Sequence, residues 1–302
     1  MRIHILLLAP LLFFLSAQAQ KTKVVVLGFD GLGGIALSKA NTPHINELKK
    51  NGVYTYHARS VFPTVSSPNW AAMVNGAPPR INKIRSNAWE RKDIADKQFY
   101  DQTKGEIFPT IFKLLRQQQP SSTIKVVHQW GGFARLINTE VLDTCINTSD
   151  EFVTCTTACE IIEKGLPDLL FVHFDHVDHA GHEQGHFSSA YYSSIAVADS
   201  LIGAVVNSLK KTGQYDNTYI LITADHGGIN KGHGGATHYE FAIPWILSGK
   251  QTHKAKAIKG RVRQFDTAPT LAYILGLSTP ACWKGRPIAE AFSSPISSTQ
   301  KP

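Results

Sequence analysis

Three nearly unbroken apolar, β-prone runs constrain this chain most: Lys23–Phe29, Asp168–Phe174 and Thr218–Ala224. Strands this apolar are buried on both faces, as in parallel sheets covered by helices. Each run stops at an acidic or His-bearing turn. The first gives way to Asp30-Gly31, the second to Asp175-His-Val-Asp178-His-Ala-Gly-His182, and the third to Asp225-His226-Gly227-Gly228. Between them lie helical signals: a Pro-led run after Asn41, then Ile107–Gln117, Ser188–Leu209 and Phe265–Leu275. Shorter strands are expected at Thr123–His128 and Phe241–Leu247. This alternation predicts an α/β fold, a three-layer α/β/α sandwich with a mostly parallel central sheet. In such sheets ligands bind outside the carboxyl ends of the strands, where the Asp and His residues fall. No periodicity is readable from Trp130 to Glu160.

A second feature is Phe62–Asn75, a polar turn opening into a helix. Pro63 and Pro68 disfavour helix just before them. Pro68 itself suits a first helical turn, which places the helix from about Asn69. The hydroxyls of Thr64, Ser66 and Ser67 then sit at a helix N-terminus, where free N–H groups and the positive dipole end suit an anion. An ordinary Ser cap is the plainer reading of the same residues. Gly76 to Gln102, with Arg80, Lys83, Arg85, Asn87 and Trp89, reads as a loop bordering the pocket. Trp70, Trp89 and Trp130 read as core packing rather than base-stacking platforms.

The chain has 302 residues, 43% hydrophobic and 18% charged, enough for one large core. Its formal net charge of +8 favours anionic partners, but the Lys and Arg residues are scattered and form no nucleic-acid arm. Residues 1–19 have a basic start, a short apolar core and an Ala17-x-Ala19 site, the pattern of a secretory signal cleaved before Gln20. The apolar run is short for a membrane span. An exported product, secreted or periplasmic, is therefore expected. In such a compartment Cys145, Cys155, Cys159 and Cys282 suggest disulfides, with three pairings open and Cys155–Cys159 able to close a small loop.

Asp30, Asp178, His182, Asp225, His226 and His233 supply mixed carboxylate and imidazole ligands, which suit Zn²⁺ or a similar divalent ion. In their order along the chain, the Asp30 strand end, Phe-Pro-Thr-Val-Ser66-Ser-Pro-Asn69, Asp178-His-Ala-Gly-His182, Asp225-His226-Gly and Gly-His233-Gly resemble the nucleotide pyrophosphatase/phosphodiesterase branch of the alkaline phosphatase superfamily. Gln264-Phe-Asp-Thr-Ala-Pro-Thr-Leu resembles its C-terminal helix. The resemblance spans nearly all of residues 20–302, which are then read as one alkaline phosphatase-like catalytic domain.

The resemblance implies two divalent ions, zinc in the family. Asp178, His182 and His233 would hold one. Asp30, Asp225 and His226 would hold the other, with the nucleophile as a further ligand. The family nucleophile stands three residues before the Asn that follows Pro, which selects Ser66 over Thr64. Thr is the commoner residue there. Asn69 would bind a phosphoryl oxygen. Asn82-Lys83 stands where many relatives carry His-Gly. The activity implied is hydrolysis of a small phosphate diester or nucleotide through a covalent Ser66 phospho-enzyme, with a phosphomonoesterase as the alternative. A sulfatase would need Arg where Trp70 stands, two residues after Pro68. A secreted protein using metal structurally would favour a closed, Cys-rich site.

Overall fold

A computed structural model of the chain describes residues 21–91 and 107–296. The expected leader, residues 1–19, and its cleavage point lie outside the described residues. Among the described residues, eight strands form one sheet: β1 (Lys23–Phe29), β2 (Gly52–Arg59), β3 (Ile124–His128), β4 (Thr144–Asn147), β5 (Leu169–Phe174), β6 (Thr218–Ala224), β7 (Ala242–Ser248) and β8 (Lys256–Ala257). Their spatial order is β4-β3-β5-β1-β6-β7-β2-β8. From β4 to β6 all neighbours run parallel. β7 is antiparallel to both β6 and β2, so the sheet is mixed at that side. The strands most legible in the sequence are the most apolar ones, and the shorter β3 was expected as well. Every residue of β5, β6 and β7 is buried.

Among the described residues, ten α-helical segments accompany the sheet: α1 (Gly34–Leu37), α2 (Pro43–Lys50), α3 (Ser66–Asn75), α4 (Pro79–Asn82), α5 (Ile111–Gln118), α6 (Glu151–Gly165), α7 (His176–Gln184), α8 (Ser189–Lys211), α9 (His238–Phe241) and α10 (Thr267–Ile274). Helices α2, α6 and α7 pack against α8 in one layer, while α3, α5 and α10 pack together in another. This is the expected α/β/α arrangement. Among the described residues only α8 is long and apolar enough to cross a membrane. Its stripe of Tyr191, Ile195, Ala198, Ile202, Val205 and Leu209 is buried, the pattern of a core helix.

Two expectations fail here. The Cys155–Cys159 segment is not a loop but the Asp150-capped helix α6, and all four cysteines are unpaired thiols. The stretch from Asp175 to His182 is not a turn; α7 begins at His176 and puts Asp178 and His182 one helical turn apart on one face.

Helix α2 is capped from a distance. Thr42 makes no side-chain cap bond. Instead the Asp199 carboxylate, on α8, accepts from the N–H groups of His44 (3.1 Å) and Ile45 (2.8 Å). Asp199 is buried, so Asp199→Ala strands two amide donors. The expected loss is about 2 kcal/mol of unfolding free energy in urea titration, with an unchanged m-value. A change within about 0.5 kcal/mol would show that the cap does not matter.

Candidate active site

Strand β1 lies between β5 and β6, and its register levels the three acidic strand ends. Phe29 pairs with Phe174 on one side and Ala224 on the other. Asp30, Asp175 and Asp225 therefore leave the sheet side by side. Two glycines permit the close packing there. A Cβ on Gly28 would stand 2.7 Å from the Trp70 ring. Gly31 has φ of +67°, and a Cβ on it would meet Asp178 Oδ1 at 2.6 Å.

The six predicted Asp and His ligands converge. Donor atoms of Asp30, Asp225 and His226 lie within 4.8 Å of one another, as do those of Asp178, His226 and His233. His226 Nε2 is 3.4 Å from Asp30 Oδ1 and 3.2 Å from Asp225 Oδ2. His182 Nε2 is 3.2 Å from Asp178 Oδ2 and 3.0 Å from His233 Nε2. The two expected ligand sets are not cleanly apart, because the His226 ring also stacks on His233 at 3.8 Å.

The donor set fits cations. Asp30 Oδ1, Asp178 Oδ1, Asp225 Oδ2 and His226 Nε2 are buried with no hydrogen-bond partner among the described residues. Leaving buried carboxylate oxygens unmatched is costly, and positive charge at their meeting point removes the cost. The imidazoles are oriented for it. Each Nδ1 faces a backbone carbonyl: Lys231 for His182 (3.0 Å), Gly227 for His226 (2.9 Å) and Thr64 for His233 (2.9 Å). A carbonyl only accepts, so Nδ1 carries the proton and Nε2 offers its lone pair to the site.

Charge is divided unevenly among these groups. Burial pushes Asp225 well above the usual carboxylate range, and the charges of Asp30 and Asp178 add to it. Burial acts the same way on Asp30, but His173, His226 and the Trp70 indole outweigh it and hold that carboxyl low. Burial, reinforced by His233, lowers His226 to about 4. The hydrogen bond that His182 donates to the Asp178 carboxylate raises the imidazole to about 9. Without metal, then, burial disfavours the charge on Asp225, its neighbours favour the charge on Asp30, and Asp178 favours the cationic form of His182.

Helix α3 starts at Ser66, three residues earlier than the sequence suggests, and its cap position is Val65, which has no side-chain acceptor. The plain Ser-cap reading therefore fails. Among the three hydroxyls, Thr64 Oγ1 donates to Gly235 O (2.7 Å) and accepts from Gly234 N (3.0 Å), and Ser67 Oγ accepts from Arg135 Nη2 (3.0 Å). Ser66 Oγ has no protein partner among the described residues. Asn69 departs from expectation. It is fully buried, its Oδ1 accepts from Val61 N (2.6 Å), and its Nδ2 lies among the carbonyls of Val61, Pro63 and Val65. Its amide is spent on the loop before Ser66 and does not face an anion.

Three residues not among the expected ligands or catalytic groups complete this end. Exposed Asn87 accepts the Ser67 N–H through Oδ1 (2.8 Å), and Arg135 ties the Asn87 carbonyl to Ser67. Trp70 Nε1 donates to Asp30 Oδ2 (2.9 Å). Their signal is tertiary, and only Asn87 fell within a segment flagged as pocket-lining. Thr64 proves to be a brace. Its hydroxyl grips the Gly234–Gly235 backbone while its carbonyl holds His233. Thr64→Val should weaken divalent-metal binding about 10- to 100-fold, measured by chelator competition, with turnover retained at saturating metal. Unchanged affinity would remove the brace from the account.

A family model described as type I phosphodiesterase/nucleotide pyrophosphatase matches residues 24–234. Bis(5'-adenosyl)-triphosphatase ENPP4 of Pongo abelii is 24% identical over 221 residues, 70% of this chain and 49% of that protein. A 2,3-bisphosphoglycerate-independent phosphoglycerate mutase of Rippkaea orientalis is 31% identical over 165 residues, 51% of this chain and 30% of that one. The chain thus spans about half the length, or less, of these curated relatives. Among solved structures, human ectonucleotide pyrophosphatase/phosphodiesterase 5 superposes with a TM-score of 0.75 at 18% identity, covering 90% of this chain and 100% of that one. A sulfatase-like protein from Bacteroides thetaiotaomicron gives 0.70 at 16% identity, covering 89% and 74%. These two likenesses show an alkaline phosphatase-type fold and no more. With the family model covering most of its length, the chain belongs to the type I phosphodiesterase/nucleotide pyrophosphatase family.

Proposed function

We propose that the protein is an exported, metal-dependent hydrolase of small phosphate diesters or nucleotides, acting through Ser66. One observation carries the reading: unpartnered buried Asp and His donors converge beside a helix N-terminus whose first residue is a serine with a free hydroxyl. Asp178, His182 and His233 would hold one divalent ion, and Asp30, Asp225 and His226 the other, with Ser66 as a further ligand. Zinc suits this mixture of donors. Bound there, the ions supply Lewis-acid stabilisation of the oxygens that gain charge in phosphoryl transfer.

The chain's own residues do the rest. Ser66 Oγ attacks phosphorus as the bond to the leaving oxygen breaks, and water then cleaves the Ser66 ester. The Ser66 N–H and the positive end of α3 stabilise the equatorial oxygens. Asn69 acts as a positioning residue, fixing the loop that aims Ser66. Arg135 and Asn87 hold the second residue of the helix. A murine relative, ectonucleotide pyrophosphatase/phosphodiesterase 5, is known in complex with AMP, which supports a nucleotide-sized substrate. Trp70 argues against a sulfatase. It occupies the place of the Arg in the sulfatase pattern and is buried against Asp30.

Parallel assays of a chromogenic diester, monoester and sulfate ester with zinc-loaded protein test the reading. Diester turnover should lead. Faster monoester turnover would favour the phosphatase alternative, and sulfate ester turnover alone would overturn both. Metal binding should also release protons. Ligands must be deprotonated, and His182, raised to about 9, is protonated near neutrality in the metal-free chain, while burial also disfavours the ionised form of Asp225. Affinity should therefore rise with pH up to about 9, with roughly one proton released per chain near pH 7 as His182 gives up its charge. Calorimetry in buffers of different ionisation enthalpy measures this, and no release would contradict it.

A further inference from the structure

We propose that a further divalent cation binds between Asp30, His173 and Asp175, beside the pair of ions described above. One donor atom from each lies within 4.8 Å of the others. His173 is the decisive residue. It is fully buried on β5, and among the described residues neither ring nitrogen makes a hydrogen bond of good geometry, Asp30 Oδ2 standing off from Nε2 at 3.5 Å. Around it stand the rings of Trp70 (4.6 Å), Phe133 (5.4 Å) and Trp130 (6.3 Å), none of which accepts a hydrogen bond in its plane. A buried imidazole left in this state is rare, and a bound ion is among the few physical reasons for one.

The Asp30 carboxylate is built to serve both sides. Oδ1 faces His226 Nε2 at 3.4 Å, toward the pair. Oδ2 faces His173 Nε2 at 3.5 Å and accepts from Trp70 at 2.9 Å, which leaves it one lone pair. Strand register brings Asp175 alongside, because Asp30 N donates to Phe174 O at 2.8 Å. Asp175 is partly exposed, so the site has a way in and room for water ligands. Two carboxylate oxygens and one imidazole suit Mn²⁺, Mg²⁺ or Zn²⁺ completed by water. The inference leans on the proposed function only in sharing Asp30.

Crystals of the zinc-loaded protein, soaked in millimolar Mn²⁺ and measured at the zinc and manganese edges, test it directly. An anomalous peak between Asp30, His173 and Asp175 is expected. Asp175→Asn and His173→Phe should each lose about one metal equivalent per chain on dialysis while the other sites stay filled. Peaks at the Asp178–His182–His233 and Asp225–His226 positions alone would overturn the proposal, leaving His173 as a plain neighbour of Asp30. A filled triad beside an empty pair would uphold it and remove the two-ion reading.

Discussion

Ser66→Ala should lower turnover of a phosphodiester by roughly 10⁴-fold or more, the scale seen when a covalent serine is removed from an enzyme. The expectation rests on elimination as well as motif. Thr64 Oγ1 is engaged as both donor and acceptor, and Ser67 Oγ is buried under the Arg135 guanidinium. Of the three hydroxyls, only that of Ser66 has no partner among the described residues, and it sits at the first position of α3, where the helix dipole favours developing negative charge. Ser66→Thr keeps the hydroxyl and adds a methyl, so partial activity should remain. Ser67→Ala removes one hydrogen bond to Arg135 and should cost about tenfold or less. Metal content should be measured alongside, since Ser66 would also be a ligand. Near-normal turnover in Ser66→Ala, with Thr64→Ala inactive, would move the nucleophile to Thr64.

Asp225→Asn should be nearly as damaging to activity, by a separable route. Asp225 Oδ1 accepts from Gly31 N (3.1 Å) and His226 N (2.8 Å), and an amide oxygen can keep both bonds. What is lost is the charge on Oδ2, which meets His226 Nε2 at the expected metal position. Metal content should fall by about one equivalent per chain, with turnover down by orders of magnitude. The stability consequence has the opposite sign. A carboxyl whose folded pKa is raised costs stability once pH exceeds its unfolded value, and near neutrality the unfolded chain is the one that gains by ionising. Removing the charge removes that penalty. Metal-free Asp225→Asn should therefore melt no lower than the metal-free parent, while its gain in Tm on adding zinc shrinks. Full metal occupancy, or a large loss of metal-free stability, would contradict this assignment.

The sequence was most legible where physics acts locally. β1, β5 and β6 are apolar on both faces, so no partner strand is needed to recognise them, and their Asp-bearing ends follow. β2 was not visible because Tyr54, Thr55 and Tyr56 are only partly buried and His57 and Arg59 are exposed, so the run reads as polar. α6 was hidden by its Thr- and Cys-rich composition, which forms a helix here under an Asp150 cap and packing on α8. α7 carries Asp, His and Gly, all poor helix formers, and tertiary contacts with α8 override them. In the site, the ligand types were readable from the strand ends. The direction of a side chain was not, and Asn69 shows the difference. Its place three residues after Ser66 suggests an anion ligand, whereas its amide is enclosed by the loop it holds. The second role of Thr64 and the placement of His173 depend on contacts across the fold, of which the sequence carries no local trace.

The stereochemical course at phosphorus tests the central claim most directly. A diester made chiral at phosphorus with sulfur and oxygen isotopes is hydrolysed by the zinc-loaded protein, and the product configuration is read by NMR. Attack by Ser66 followed by attack of water inverts the centre twice, so net retention is the predicted result. Net inversion, or no metal-dependent hydrolysis of the diester at all, would contradict the account.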